Sequence, residues 1–169
     1  MVIVQMHGEP GSGKSTVARA LAPRIGALVL DKDVVKSALL RAGAPEKLAA
    51  GGAYEAYFDL AEDIAGQGYS LILDNPVYWP LVEEKWVALC QRRGVPLRMI
   101  ECVCGDRDEL TRRLATRAAR ESQPRAPYRF DLASGIIEPS CERLVVDTTR
   151  PLDEIAEEAL AYLRAGASA

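Results

Sequence analysis

The sequence contains few of the residues that most often build metal sites and disulfide frameworks. It has four cysteines and one histidine in 169 residues, and no two cysteines form a C-x-x-C pair. We therefore expect no structural zinc site. Cys102 and Cys104 lie in an apolar segment, where buried thiols are common, so we expect them to pack in the core.

Long apolar runs and a large excess of one charge are also absent. The longest apolar segments are strand-sized, well below the roughly 20 residues that span a bilayer, so we expect no membrane partner. A net charge of −3 argues against a protein that coats nucleic acids. The chain begins directly with a predicted strand, which leaves no room for a secretory signal, and we expect a cytoplasmic protein.

What remains is the composition of an ordinary globular protein. Hydrophobic residues make up 49% of the chain and charged residues 27%, which argues against disorder. A chain of 169 residues can bury a sizeable core in one unit. We expect one domain over residues 1–169, without repeats or linkers.

One glycine-rich stretch carries the clearest chemical signal. Residues 8–15 match the pattern G-x-x-x-x-G-K-[ST] and stand between an apolar run and a helical pattern. Glycines allow the backbone N–H groups of such a loop to surround a phosphate chain. Lys14 would contact the β- and γ-phosphates, and the Ser15 hydroxyl would bind Mg²⁺. The predicted nucleotide contacts in this region are Gly8, Glu9, Pro10, Gly11, Ser12, Gly13, Lys14, Ser15 and Thr16.

Strand-like and helix-like segments alternate along the chain. Strands are predicted at residues 2–6, 27–30, 69–73, 97–104 and 144–146. Helices are predicted at residues 15–22, 34–41, 54–67, 81–93, 108–120 and 152–163, with Pro23 and Gly26 ending the first of them and Gly51-Gly52 forming a break. The alternation predicts an α/β fold, a parallel sheet with helices on both faces.

Four polar segments follow predicted strands of this sheet. They are residues 8–15, 31–33, 74–79 and 147–151. Parallel strands joined by right-handed crossovers have their carboxyl ends at one edge, where ligands bind. We therefore expect the four segments to meet in one cleft.

Two aspartates in these segments are candidates for chemistry. Asp74 follows the apolar residues 71–73 as a Walker B carboxylate does, and it could hold Mg²⁺ directly or through water; the alternative is a turn or helix cap. Asp33 lies two residues past the second predicted strand and could take the proton of an acceptor hydroxyl. Its alternative or additional role is the N-cap of a helix starting at Val34.

Arginine is concentrated late in the chain. Between residues 106 and 129 there are seven arginines against four acidic residues. The arginines are Arg107, Arg112, Arg113, Arg117, Arg120, Arg125 and Arg129. Arg113, Arg117 and Arg120 have helical spacing and could face phosphate oxygens together. The alternative is a solvated face with salt bridges, because Glu109 and Arg113 form an i,i+4 pair.

These motifs resemble a family of small P-loop kinases with a nucleoside-monophosphate-kinase-like fold and an AAA-type ATP-binding domain. The family includes chloramphenicol phosphotransferase-like enzymes and the kinase domain of phage polynucleotide kinase. The resemblance covers most of the chain and rests on residues 8–16, 30–36, 101–117 and 146–149.

The resemblance implies a P-loop NTPase with ATP and Mg²⁺ as ligands and a five-stranded parallel sheet in the order 2-3-1-4-5. It implies that Asp33 is the catalytic base and that Arg113 and Arg117 lie at or near an arginine-rich lid at about residues 113–129. With Lys14 of the phosphate loop, these three are the predicted catalytic residues. Arg117 and Thr148 would contact the nucleotide, and residues 147–151 would lie near its adenine.

The acceptor side departs from the family pattern. Glu9 puts a carboxylate inside the phosphate loop, and we expect it to point toward the acceptor or solvent. Lys36 stands where polynucleotide kinases have an arginine. Aromatic residues of two segments would wall an acceptor pocket, although Tyr57 and Phe58 can equally be core. The predicted acceptor contacts are Lys36, Tyr54, Asn75, Tyr78 and Trp79.

The sequence motifs are compatible with three functions. The first is an ATP-dependent kinase acting on a hydroxyl of a small molecule such as a nucleoside, a sugar or an antibiotic. The second is a polynucleotide 5′-hydroxyl kinase, favoured by the arginines and opposed by the acidic balance and by Lys36. The third is a regulatory ATPase, opposed because Asn75, not glutamate, follows Asp74. The oligomeric state is left open.

Overall fold

Strands and helices alternate in the computed structural model, which describes residues 1–123, 139 and 141–165. The strands are β1 (Ile3–His7), β2 (Ala27–Asp31), β3 (Ser70–Asp74), β4 (Leu97–Val103) and β5 (Arg143–Asp147). The helices are α1 (Lys14–Ile25), α2 (Lys32–Arg41), α3 (Glu46–Gly66), α4 (Pro80–Arg93), α5 (Arg107–Thr116) and α6 (Leu152–Ala165). None of these helices is long and apolar enough to cross a membrane.

The strands form one parallel sheet in the order β2-β3-β1-β4-β5. The α/β class and the strand order expected from the sequence are therefore confirmed. In this register Asp31 at the end of β2 is paired with Asp74 at the end of β3. The two carboxylates thus lie side by side at the carboxyl edge of the sheet.

Helices cover both faces of the sheet, as the apolar strands predict. Side chains alternate across a strand, so neighbouring residues of β1 face opposite sides. Val4 belongs to a core formed with α1 and α6, whereas Ile3 belongs to a second core formed with α3 and α4. Cys102 is buried in the first core, and Cys104 is buried beside α5. Packing is the role predicted for both thiols.

Helix α1 runs through Pro23, although the sequence predicts an end at residue 22. Proline removes its own N–H donor and crowds the carbonyl four residues earlier, but in the last turn of a helix this affects a single hydrogen bond. The helix ends at Ile25, before the second predicted terminator, Gly26, which has φ +61° and donates its N–H to the carbonyl of Ala22. The left-handed conformation required there suits glycine and ends the helix.

Helix α3 is continuous across Gly51-Gly52, so the predicted break there is wrong. Glycine lowers helix propensity by only about 1 kcal/mol per residue. On either side of the two glycines, Ala49, Ala53 and Tyr57 are fully or almost fully buried on one face of the helix. The burial of this face outweighs the local preference of the glycines.

Helix α5 ends at Thr116, four residues earlier than its predicted end at Arg120. Arg117 is already extended, with φ −65° and ψ 147°. The chain leaves the helical path there, and Ser122 bonds to α2 through Ser37. Arg120 therefore does not share a helix face with Arg113. Residues 124–129 of the predicted lid, with Arg125 and Arg129, lie outside the described residues.

Candidate active site

A cleft of about 1540 Å³ opens at the carboxyl edge of the sheet. Residues of all four polar segments singled out in the sequence line it, including Lys14, Asp33, Asp74 and Thr148. Arginines of α5 and of the chain that follows it line the opposite wall. The expected convergence of these segments is thus present.

The glycine-rich loop passes directly over β4. A Cβ atom at Gly8 would lie 2.2 Å from the carbonyl oxygen of Cys102, so no side chain fits there. Gly13 has φ +93° and precedes α1, which has no side-chain cap. Backbone N–H groups at such a helix start, together with the helix dipole, favour an anion. The loop geometry is that of a phosphate site.

The ammonium group of Lys14 is folded into this loop. Its Nζ donates to the carbonyl oxygens of Gly8 at 2.8 Å and Glu9 at 2.9 Å. Burial lowers the pKa of Lys14, and the charge of nearby Asp74 opposes this shift. A half-buried cation next to a helix start makes the loop a strong attractor for phosphate oxygens.

Asp74 lies beside Ser15 in the floor of the cleft. Burial raises the pKa of Asp74, and a hydrogen bond with the Ser15 side chain opposes the shift. The Oδ2 atom of Asp74 is buried and has no hydrogen-bond partner among the described residues. A carboxylate oxygen and a hydroxyl are hard oxygen ligands of the kind Mg²⁺ prefers.

The site fits Mg²⁺ rather than a fully protein-ligated metal. Across residues 1–123, 139 and 141–165, no group of three or more histidine, cysteine, aspartate or glutamate side chains could hold a metal ion. Mg²⁺ commonly takes one or two protein ligands and completes its shell with phosphate and water. Ser15 and Asp74 suit that arrangement.

Asp33 is not the cap of α2, because that helix begins one residue before it. The cap is Asp31, whose Oδ1 accepts the backbone N–H of Asp33 at 2.9 Å. The Asp33 carboxylate is instead held by side chains: its Oδ1 lies 3.0 Å from Lys32 Nζ, and its Oδ2 accepts from Gln123 Nε2 at 3.2 Å. The prediction of an N-cap at Asp33 is wrong, and its carboxylate faces the cleft.

Arg113 connects α5 to the loop after β5. It donates to the Thr148 hydroxyl at 2.8 Å and to the Thr148 carbonyl at 2.9 Å. Thr148 Oγ1 in turn donates to the carbonyl of Ser12 in the phosphate loop at 2.8 Å. Arg113 also bonds to Glu109 at 2.8 Å, which is the i,i+4 pair considered as the alternative. Arg113 and Thr148 therefore connect α5 to the glycine-rich loop.

Arg117 lines the cleft close to the Asp33 carboxylate. Partial burial lowers the pKa of Arg117, and the charge of Asp33 opposes that shift. Two further arginines, Arg19 and Arg120, approach Asp31 Oδ2 at 3.7 and 3.8 Å. Arg19 belongs to none of the sequence motifs, although its position four residues after Ser15 places both on one face of α1.

Glu9 is paired with α5. Its Oε1 accepts from Arg107 at 2.6 Å, and Arg107 is the first residue of that helix. This ion pair is exposed, so Glu9 lies on the solvent side, one of the two directions expected for it. A partner 98 positions away in the chain gives no local sequence signal.

The part of the cleft predicted to bind the acceptor combines paired charges with aromatic side chains. Lys36 contacts Glu46 at the start of α3. The ring of Tyr54 lies 6.1 Å from that of Trp79 at an interplanar angle of 90°, and Lys32 Nζ is 5.2 Å from the Tyr54 centroid. Burial raises the pKa of Tyr54 to about 12, so its hydroxyl stays protonated. Trp79, 41% exposed, is accessible at the rim.

Asn75 and Tyr78 line this side but bond mainly to the protein. Asn75 accepts from the Tyr57 hydroxyl at 3.0 Å and donates to the Pro76 carbonyl at 3.1 Å. Tyr78 donates its hydroxyl to the Gly8 carbonyl at 3.1 Å. Both residues thus fix the turn after β3 against its neighbours. Tyr57 and Phe58 are buried, which is the core role that the sequence analysis had left open for them.

Comparison with known proteins gives a family and a fold. A family model described as an AAA domain matches residues 3–130. No curated protein matches the chain. Among solved structures, a candidate kinase from Chloroflexus aurantiacus J-10-fl is 22% identical with a TM-score of 0.74, over 98% of this chain and 97% of that chain.

Two further solved structures are named enzymes. A gluconokinase from Sinorhizobium meliloti 1021 is 20% identical with a TM-score of 0.63, over 99% of this chain and 94% of that chain. The APS kinase CysC from Mycobacterium tuberculosis, solved with AMPPNP and APS, is 18% identical with a TM-score of 0.64. The match covers 96% of this chain and 97% of that chain. At these identities the likeness establishes the fold.

Proposed function

The chain belongs to the AAA domain family, and from that premise we propose that it is an ATP-dependent phosphotransferase. It moves the γ-phosphoryl group of Mg-ATP to a hydroxyl group of a small-molecule acceptor. In this transfer the acceptor oxygen bonds to the γ-phosphorus, the bond between that phosphorus and the ADP oxygen breaks, and the acceptor proton leaves.

The Asp33 carboxylate is the observation that carries this proposal. It lines the same cleft as the phosphate loop, and the capping of α2 is done by Asp31 instead. A carboxylate opposite a phosphate loop is suited to accept the proton of an attacking hydroxyl. A protein that only bound or hydrolysed ATP would not need an acceptor pocket walled by Tyr54 and Trp79.

The nucleotide side of the cleft supports the binding half of the reaction. Lys14 would turn from the loop carbonyls to the β- and γ-phosphates, and Arg117 would offset the charge on the transferred group. Arg113 would act through Thr148, since its guanidinium already bonds there. Ser15 and Asp74 would hold Mg²⁺, which bridges phosphate oxygens and neutralises their charge.

A small acceptor is favoured over a polynucleotide end. Three cations of the acceptor side each contact a carboxylate: Lys32 with Asp33, Lys36 with Glu46, and Arg120 with Asp31. Binding of a polynucleotide rests on cations that neutralise backbone phosphates, and these three are already compensated. The structural neighbours named as gluconokinase and APS kinase are consistent with a small acceptor.

The proposal is tested by following phosphoryl transfer from Mg-ATP to a panel of nucleosides, sugars and aminoglycoside or phenicol antibiotics, with DNA and RNA oligonucleotides as the alternative acceptors. We expect acceptor-dependent ADP formation and a phosphorylated small molecule. Lys14→Ala should reduce this transfer to the background, because it removes the cation of the phosphate loop. Near-normal transfer by a folded Lys14→Ala variant would remove the loop from the mechanism.

A further inference from the structure

A distant segment is attached to the first turns of α2. Residues 120–123, called the docking segment below, follow α5 in the chain and contact α2 at several points. Ser37 donates its hydroxyl to Ser122 Oγ at 2.9 Å, and Ser122 donates its backbone N–H to Ser37 Oγ at 3.2 Å and its hydroxyl to the Asp33 carbonyl at 3.3 Å. The docking segment therefore fixes the backbone of Asp33.

Gln123 extends this attachment to the Asp33 carboxylate. Its Nε2 donates to Asp33 Oδ2 at 3.2 Å, and its Oε1 accepts the backbone N–H of Arg120 at 3.2 Å. A backbone N–H can only donate, so the amide oxygen must face Arg120 and the NH₂ group must face Asp33. The orientation of the Gln123 amide is thus determined by its two partners.

The second carboxylate oxygen of Asp33 is held from the opposite side. Lys32 Nζ lies 3.0 Å from Oδ1, and the same ammonium lies over the ring of Tyr54. An ionised carboxylate oxygen can accept about two hydrogen bonds. Each oxygen therefore retains capacity for one more donor, and the plane of the carboxylate is fixed by Lys32 and Gln123 together.

We propose that Gln123 is a positioning residue for phosphoryl transfer, which orients the Asp33 carboxylate toward the acceptor hydroxyl through its hydrogen bond to Oδ2. This role rests on the proposed function, in which Asp33 accepts the acceptor proton. A general base works only when its oxygen is within hydrogen-bond reach of the proton it removes, and a rotation of the carboxylate takes it out of reach. The docking segment thereby couples the chain after α5 to the base.

The contact itself is tested without any acceptor. In the full-length protein, the ¹H–¹⁵N resonances of the Gln123 side-chain amide are recorded for the wild type, Asp33→Asn and Asp63→Asn. Asp63 accepts from the Gln67 amide at 2.8 Å on the exposed surface, so it is a matched control. We expect Asp33→Asn to shift the Gln123 resonances and Asp63→Asn to shift only those of Gln67. Unchanged Gln123 resonances in Asp33→Asn would overturn the proposal.

The role is tested by kinetics with an acceptor that the wild type phosphorylates. Gln123→Glu keeps the shape of the side chain but replaces the donor by an acceptor. We expect kcat to fall by about 10- to 100-fold, the range for a hydrogen bond to a charged group, with the KM for ATP little changed. Gln123→Lys restores a donor and should recover part of the loss.

Two controls separate positioning from simple docking. Glu121→Gln weakens the neighbouring contact of the same segment with Arg41, which is 2.9 Å long and exposed, and should leave kcat near the wild-type value. In an Asp33→Asn background, Gln123→Glu should cause almost no further loss, because Gln123 acts through Asp33.

The outcomes distinguish this proposal from the function on which it rests. A wild type that transfers no phosphoryl group to any acceptor overturns the proposed function, and the positioning role with it, even where the resonance shifts are seen. An active wild type with a fully active Gln123→Glu variant overturns only the role of Gln123. Equal losses in Glu121→Gln and Gln123→Glu would assign the effect to docking of the segment and also overturn that role.

Discussion

Asp74 combines a buried charge with a proposed role in metal binding. Burial raises its pKa above the ordinary value of 3.8, so the folded chain binds a proton more tightly than the unfolded chain does. The ionised carboxylate then costs stability at any pH above the folded pKa, and this cost disappears as the pH falls below 3.8. The proposed metal-binding role of Asp74 thus requires a charge that costs stability.

We expect Asp74→Asn to raise the Tm at pH 7 when Mg²⁺ has been removed with EDTA, because the variant no longer buries a charge. This gain in Tm should shrink as the pH falls toward 3.8, the pKa of Asp74 in the unfolded chain. The same variant should need a higher Mg²⁺ concentration for half-maximal ATP turnover. Thermal melts from pH 3 to 8 and a Mg²⁺ titration measure both effects. A lower Tm at pH 7 with an unchanged Mg²⁺ requirement would contradict both assignments.

The residues of the phosphate loop were readable from the sequence because their spacing is local and chemically specific. The neighbouring aspartates were harder to assign, since Asp31 and Asp33 both follow an apolar strand and both can cap a helix. Their roles depend on where α2 begins, and the helix starts two residues earlier than the pattern predicts. This shift makes Asp31 the cap and leaves the Asp33 carboxylate in the cleft.

At the scale of elements, the glycines of α3 allow a matched stability test. A Cβ atom added at Gly51 would meet no atom within 4 Å, and the residue lies inside a helix. Gly51→Ala should therefore stabilise the protein by about 1 kcal/mol. Gly26 also has open space around its Cβ position, but its φ is +61°.

Gly26→Ala is the control, because Gly51 and Gly26 both have space for a Cβ atom and only Gly26 has a left-handed backbone conformation. It should destabilise the protein by about 1–2 kcal/mol, since alanine is strained in the left-handed region. Urea unfolding of the two variants measures the difference. Destabilisation by Gly51→Ala would contradict a continuous α3.

Helix existence was easier to predict than helix ends. The periodic patterns indicated all six helices that the described residues contain. The end of α1 was placed too early because Pro23 in its last turn did not stop the helix before Gly26. The ends of α3 and α5 were misplaced because they depend on tertiary contacts: burial of one face of α3, and attachment of the docking segment to α2. Neither contact leaves a mark in the local sequence.

The chain after α5 should respond to nucleotide. Arg117 lines a cleft that also contains Lys14, and phosphates would offset the repulsion between these two cations. We expect Mg²⁺ with a nonhydrolysable ATP analogue to slow amide exchange across residues 117–123. Amides of residues 159–163 in α6, which pack in the core, provide the reference. Equal exchange with and without nucleotide would count against closure of this segment on phosphates.

At the scale of the whole molecule, the fold followed from alternating patterns and from the family resemblance, and the strand order agrees with that expectation. The contacts that complete the cleft could not be predicted, because they join distant residues. Gln123 bonds to Asp33 across 90 positions, and Thr148 bonds to Ser12 across 136. No periodicity or spacing encodes such pairs.

The account as a whole depends on Asp33 acting as the base, and its most direct test is the rate of phosphoryl transfer by Asp33→Asn. Because Asp31 caps α2, the substitution should leave the Tm and the affinity for ATP nearly unchanged. It should lower kcat by roughly 10²- to 10⁴-fold, the usual contribution of a general base, when measured with an acceptor that the wild type phosphorylates. Asp63→Asn, on the exposed surface, is the control and should retain full activity. Transfer by Asp33→Asn at the wild-type rate, measured on a folded protein that binds ATP normally, would contradict the account.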